Sequence, residues 1–194
     1  MRTIMTTCNN GKDARYWIRK LGFLKHPEGG FYRETYRSDI TLDTHIDFVK
    51  QQHDKPLRFG ASSIASSIYY LLEGNQVSFF HKLSNADEIW HFYTGSSLTI
   101  YSIDDTKRKI YELKLGDGID DGDGIDDGEM FQILIKRGSW FGAKVNNISS
   151  YSLVGCTVFP AFTFEDFQLA DRESLVTMYP AYRGIIEMLT KSPD

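Results

Sequence analysis

Cysteine is nearly missing from this 194-residue sequence, which has only Cys8 and Cys156. Two thiols make no disulfide framework, so the chain is expected to fold on its core alone in a reducing compartment. Cys156 lies in the apolar run YSLVGCTVF with no cation beside it in sequence, and it reads as a buried, inert thiol. Long hydrophobic runs are missing too. None approaches the ~18 residues of a membrane span. The opening MRTIMTTCNNGKDARYW also lacks the apolar stretch of a signal peptide. A cytoplasmic protein without a membrane partner is expected, with nuclear placement left open. Ser62, Ser63, Ser66 and Ser67 lack the glycine pattern of a nucleophile elbow, so serine hydrolase chemistry has no support. His26, His45 and His53 stand at no metal-ligand spacing.

Basic residues are outnumbered by acidic ones, 22 against 26, for a net charge of −4. That excess is local. Residues 116–129 hold six Asp and one Glu with no Lys or Arg, and without them the net charge is +3. A mildly basic body suits a small anionic ligand and is too weak to attract a nucleic acid polymer. The acids belong to a doubled GDGIDD, Gly116–Asp121 and Gly122–Asp127. A calcium loop of the EF-hand type does not fit. With Asp121 first and Asp123 third, Ile125 falls on a ligand position and Asp126 replaces the required glycine. The repeat reads as a solvated hairpin insertion.

What the sequence does have is aromatic and β-forming residues. Hydrophobic content is 41% and aromatic content 14%, enough for one domain with a real core. Residues 1–11 are expected to be disordered and residues 12–194 to form that single domain, with 116–129 inserted. Asp13 can cap a helix, DARYWIRKLG, that stops at Gly22. In HPEGGFYRETYRS, Pro27 and the Gly29–Gly30 pair signal a turn, and a strand starts at Phe31. Residues 39–60 read as a polar surface loop. From Ser62, short strands follow one another, including QVSFFHKL, DEIWHFYTG, SLTIYSID and YSLVGCTVF. Their spacing predicts an all-β sandwich or barrel. Asp171 then caps a helix that Pro180 stops, and a last short helix is expected over Tyr182–Leu189.

The stretch Gly74 to Gly95 places His81 seven residues before Glu88, and Gly95 follows after six more. This resembles the first motif of the cupin superfamily, whose second histidine position is Leu83 here. Around Gly138 the chain reads KRGSWFGAKV, which resembles the second motif with Lys136, Phe141 and Val145 in place of its Pro, His and Asn. Two of the four usual metal ligands are therefore replaced, leaving His81 and Glu88 as the ligands of any metal. No cofactor is expected. HPEGGFYRETYRS, DEIWHFYTG, VGCTVFPAFTFEDF and the closing YP resemble one little-characterised cupin group over about Leu21 to Pro180. The resemblance implies a single jelly-roll β-barrel with short flanking helices at both termini, a ligand-sized cavity, and a homodimer.

Strand parity then sorts the polar residues. Glu88, Trp90 and Phe92 share one face of their strand, and Asp87 and His91 lie on the other. His81 and Glu88 are the expected ligand-binding pair, with catalysis through them as acid and base an open alternative. Arg33, in the strand FYRETYRS, is expected to hold an anionic group bidentately. Tyr69, Trp90, Trp140 and Phe164 are candidates for stacking on a flat ligand. The function expected is a small-molecule-binding cupin whose ligand is a nucleotide, nucleotide sugar or sugar phosphate. The alternatives are an epimerase or isomerase with His81 as general base and Tyr69 or Tyr36 as acid, and a metal-dependent oxygenase.

Overall fold

The computed structural model describes residues 12–42, 62–118 and 128–192. The expected disorder of residues 1–11, most of the acidic repeat, Cys8, His45 and His53 lie outside the described residues. The first helix, α1 (Ala14–Leu21), starts where the Asp13 side chain accepts a hydrogen bond from the Tyr16 amide at 2.7 Å. It ends at Gly22, which takes the left-handed conformation. Fourteen strands follow among the described residues. They are β1 (Leu24–Lys25), β2 (Phe31–Arg37), β3 (Thr41–Leu42), β4 (Ser62–Ser63), β5 (Ser66–Glu73), β6 (Val77–Leu83) and β7 (Asp87–Gly95). After them come β8 (Leu98–Asp104), β9 (Lys109–Leu115), β10 (Glu129–Met130), β11 (Gln132–Ile135), β12 (Phe141–Val145), β13 (Tyr151–Phe159) and β14 (Phe167–Leu169). The chain closes with α2 (Arg172–Met178), capped by Asp171, and α3 (Arg183–Met188).

Two six-stranded sheets face each other, ordered β1-β2-β5-β13-β7-β11 and β10-β9-β8-β12-β6-β14. This is the expected jelly-roll barrel. Alternation fills it from both sides. Tyr70, Leu72, Trp90, Leu98, Ile100, Phe141 and Val154 pack one end of the interior into a closed apolar core. Each sheet also buries an outer face. α1 lays Trp17, Ile18 and Leu21 against Leu71 and Leu153 of the first sheet. α2 and α3 lay Leu175, Val176, Ile186 and Leu189 against Phe80, Tyr101, Ile103 and Ile110 of the second. The helices are thus short covers on a sandwich, and the other end of the interior is left for a cavity.

Two irregularities decide what that cavity contains. Register shifts between Glu34 and Tyr36 in the β2–β5 pairing. In the β12–β6 pairing, Phe141 opposes His81 while Ala143 opposes Ser78, so β6 carries an extra residue. A bulge of this kind breaks strict alternation and brings residues three apart onto one face. In β2 those residues are Glu34 and Arg37. In β6 they are Ser78 and His81. The turn before β2 is equally constrained. Gly29 and Gly30 have φ of +108° and +67°. The Phe79 amide donates to the Glu28 carbonyl at 2.7 Å, holding this turn against β6. A Cβ on Gly29 would overlap the Val77 carbonyl oxygen.

Gly29→Ala should therefore cost more than the strain of a positive φ alone. Gly138, also at positive φ (+78°), has open space around its Cβ position. In urea unfolding, Gly29→Ala is expected to lose about 3 kcal/mol and Gly138→Ala about 1 kcal/mol. Equal losses would mean that the turn is free to move away from β6.

Candidate functional site

The cavity has a volume of about 110 Å³ and opens at one end of the barrel. Its inner wall carries His81 from β6, Glu88 from β7 and Cys156 from β13, with Ile68, Leu83 and Val158 as apolar lining. The turn before β2 adds His26 and Glu28, and β2 adds Tyr32, Glu34 and Arg37. Phe162, Phe164 and Phe167 close one side, their ring centroids 5.1 to 6.5 Å apart. Glu34, Arg37 and Phe164 are exposed and form the mouth.

Glu28 is the centre of the polar part. It is only 6% exposed, and His81 only 2%. Glu28 Oε2 lies 3.1 Å from His81 Nε2 and 3.4 Å from His26 Nδ1, and Oε1 accepts from Ser78 Oγ at 2.9 Å. The other His81 nitrogen, Nδ1, lies 2.7 Å from the Phe79 carbonyl and donates to it. With Nδ1–H fixed, Nε2 and Oε2 are both acceptors unless a proton sits between them. The pair therefore holds one proton more than a bare carboxylate facing a neutral imidazole. Burial decides where it resides, because a neutral pair costs less to desolvate than an ion pair. Burial lowers the His81 pKa to about 4, with the Phe79 hydrogen bond working the other way, and burial raises that of Glu28. Glu28 is accordingly a carboxylic acid donating to neutral His81. Burial also lowers the pKa of His26, whose Nδ1 accepts from the Glu28 amide at 3.4 Å.

Glu88 is the second buried carboxyl, 7% exposed. Burial raises its pKa to about 8, while the Cys156 thiol and Trp90 indole oppose the rise. The Trp90 N–H itself meets no acceptor in hydrogen-bond geometry. Burial beside these carboxyls also pushes the Cys156 thiol up, which agrees with an inert thiol.

Of the residues singled out in the sequence, the structure brings His81, Glu88 and Phe164 into this cavity. It places four others elsewhere. Arg33 and its cross-strand partner Tyr69 are on the outer face of the first sheet. Arg33 donates to the Leu21 carbonyl at 2.8 Å, and Tyr69 packs against the α1 side. Arg37, turned inward by the bulge, takes the position expected of Arg33. Trp90 is fully buried in the closed core, and Trp140 packs beside the C-terminal helices with Lys82 over its ring. Aromatics at these positions serve packing. His91 bonds Thr157 and Gln132, and Asp87 bonds Lys136 and the Arg137 amide, so both lie on the far face of β7 as parity requires. Both His81 nitrogens are engaged, so it offers no free lone pair as a general base, and Tyr36 is exposed outside the cavity.

His26, Glu28, Tyr32, Glu34 and Arg37 are absent from the sequence-based set. The signal for His26 and Glu28 was HPEGG, where an acid adjoins two glycines and is free to fold against a neighbouring strand. A cupin-type metal does not fit the residues present. Phe141 stands where the motif has a ligand and packs on His81 at 4.1 Å between ring centroids. Leu83 lines the wall, and His81 Nε2 is already committed to Glu28. Among the described residues, no three His, Cys, Asp or Glu side chains form a set that could hold a metal ion.

Comparison with known proteins agrees with this architecture. The sequence profile described as Cupin superfamily (DUF985) matches residues 15–170. The chain is similar to a crystal structure of a protein from Shewanella oneidensis, at 37% identity over 93% of this chain and 99% of that one, with a TM-score of 0.77. It is also similar to a hypothetical protein from Leishmania major, at 26% identity over 93% and 99% of the two chains, with a TM-score of 0.74. No curated protein matches. No helix among the described residues is long and apolar enough to cross a membrane.

Folding raises the Glu88 pKa, so the folded chain binds the extra proton. The stability this contributes is full below about 4.5 and is lost as pH rises through about 8. Between about pH 5 and about pH 8.5, the native chain is expected to lose on the order of 2–3 kcal/mol relative to Glu88→Gln, as read from urea midpoints. Parallel pH curves for the two chains would show that Glu88 titrates normally.

Proposed function

The chain belongs to the family described as Cupin superfamily (DUF985), and from that premise we propose that it is a small-molecule-binding protein whose barrel cavity takes a phosphorylated ligand. The observation that carries this reading is the division of the cavity into an uncharged interior and a mouth where the Arg37 guanidinium, paired with Glu34, is open to solvent. The interior holds the Glu28–His81 pair, protonated Glu88 and three phenylalanines, an environment for an uncharged ring. At the mouth, Arg37 is the lining residue with a permanent positive charge. Its guanidinium pairs with Glu34 at 2.6 Å and donates to the Phe162 carbonyl at 3.1 Å. A phosphate can compete with Glu34 for that planar donor. A nucleotide, nucleotide sugar or sugar phosphate has both parts, a ring or sugar for the interior and an anion for Arg37.

Calorimetric titration with nucleotides, nucleotide sugars, sugar phosphates and phenyl phosphate tests this. Arg37→Ala is expected to weaken the best phosphorylated ligand by about tenfold and its dephosphorylated form little. No binding of any of these at millimolar concentration would overturn the reading.

We also propose that the chain pairs with a second copy at its N-terminal edge, where Leu24, Tyr36 and Ile40 are exposed beside the edge strand. Light scattering at micromolar concentration is expected to give twice the chain mass. A monomer would contradict it.

A further inference from the structure

Glu88 differs from the other acids of the cavity in having a neutral thiol, Cys156, rather than a charged or imidazole group as its hydrogen-bond partner. Glu28 is bonded to Ser78 and His81, and Glu34 to Arg37. Glu88 lies within ion-pair distance of no cation among the described residues, although it is almost fully buried and lines the cavity. Its polar neighbours are a thiol, an indole and a second buried carboxyl, Glu28. An ionised carboxylate there would be stranded without compensation. A carboxylic acid is different. It presents an O–H donor and a carbonyl acceptor side by side in one plane, on a residue that lines the cavity.

We propose that Glu88, as a carboxylic acid, reads the edge of a planar, uncharged ligand ring that carries an N–H beside a carbonyl oxygen. Such a cyclic amide edge offers the complementary acceptor and donor at the same spacing, so two parallel hydrogen bonds form at once. The ring lies against Phe162, Phe164 and Phe167, which supply apolar surface without competing polar groups. Selectivity follows from the cost of leaving a buried polar group unmatched. A ring that lacks the N–H leaves the acid or its own carbonyl unpaired in a water-poor site. This assignment deepens the binding reading and rests on it, since it specifies which ring the interior accepts.

The test compares 2-pyridone, which has the N–H and carbonyl edge, with N-methyl-2-pyridone, which has lost the N–H. Phenyl phosphate reports on the cavity independently. Binding is followed by chemical-shift titration of the isotope-labelled full chain. The native chain is expected to prefer 2-pyridone by about tenfold. Glu88→Gln, whose amide also pairs a donor with an acceptor, is expected to keep that preference. Glu88→Leu, checked for folding by circular dichroism, is expected to lose it. Equal affinity of the native chain for the two pyridones overturns the assignment, as does binding of phenyl phosphate without either pyridone. Both of those outcomes leave the binding reading standing. Failure of all three probes removes both.

Discussion

A proton held between Glu28 and His81 is the interaction on which the cavity depends. The two groups meet at 3.1 Å with almost no access to water, and the second histidine nitrogen is already fixed by the Phe79 carbonyl. As an ion pair, the contact would carry a large desolvation cost. As an acid bonded to a neutral imidazole, it costs far less and leaves no net charge inside the barrel. The same contact ties the turn before β2 to β6, and so joins the two sheets at the open end of the sandwich. The Gly29–Gly30 turn, the bulge that brings Ser78 inward and the hydrogen bond from Phe79 to Glu28 all converge on it.

The contact sits among the positions that match the cupin motifs. In the cupin motifs, the inner wall presents several ligands with free lone pairs. Here His81 and Glu88 stand at two of those positions, Phe141 and Leu83 make two others apolar, and Glu28 engages the nitrogen that a metal would need. The wall balances protons among carboxyls and imidazoles. That balance gives the cavity a neutral interior, and the Arg37–Glu34 ion pair confines formal charge to the mouth.

Much of this was legible in the sequence where alternation is regular. The strands, the capped helices at Asp13 and Asp171, the inward pair His81 and Glu88, and the outward Asp87 and His91 all follow from period-two patterning and helix-cap chemistry. Legibility failed where a bulge or turn breaks the period. Arg33 and Arg37 cannot be told apart by parity without knowing that register shifts between Glu34 and Tyr36. Ser78 is hidden in the same way, since strict alternation from His81 would put it on the opposite face. Trp90 and Trp140 were ambiguous in a different way, since an aromatic residue fills a core as readily as it lines a pocket. Glu28 was hidden by its context, because a Pro-x-Gly-Gly segment reads as a solvent-exposed turn until a neighbouring strand is found beneath it.

The central claim, a neutral Glu28–His81 pair, is tested most directly by the ring nitrogen shifts of His81 in ¹⁵N-labelled protein between about pH 5 and about pH 8. The account predicts one protonated nitrogen, Nδ1, and one bare nitrogen, Nε2, hydrogen-bonded and unchanged across the range. Two protonated nitrogens, or a titration near the ordinary histidine value, would contradict it.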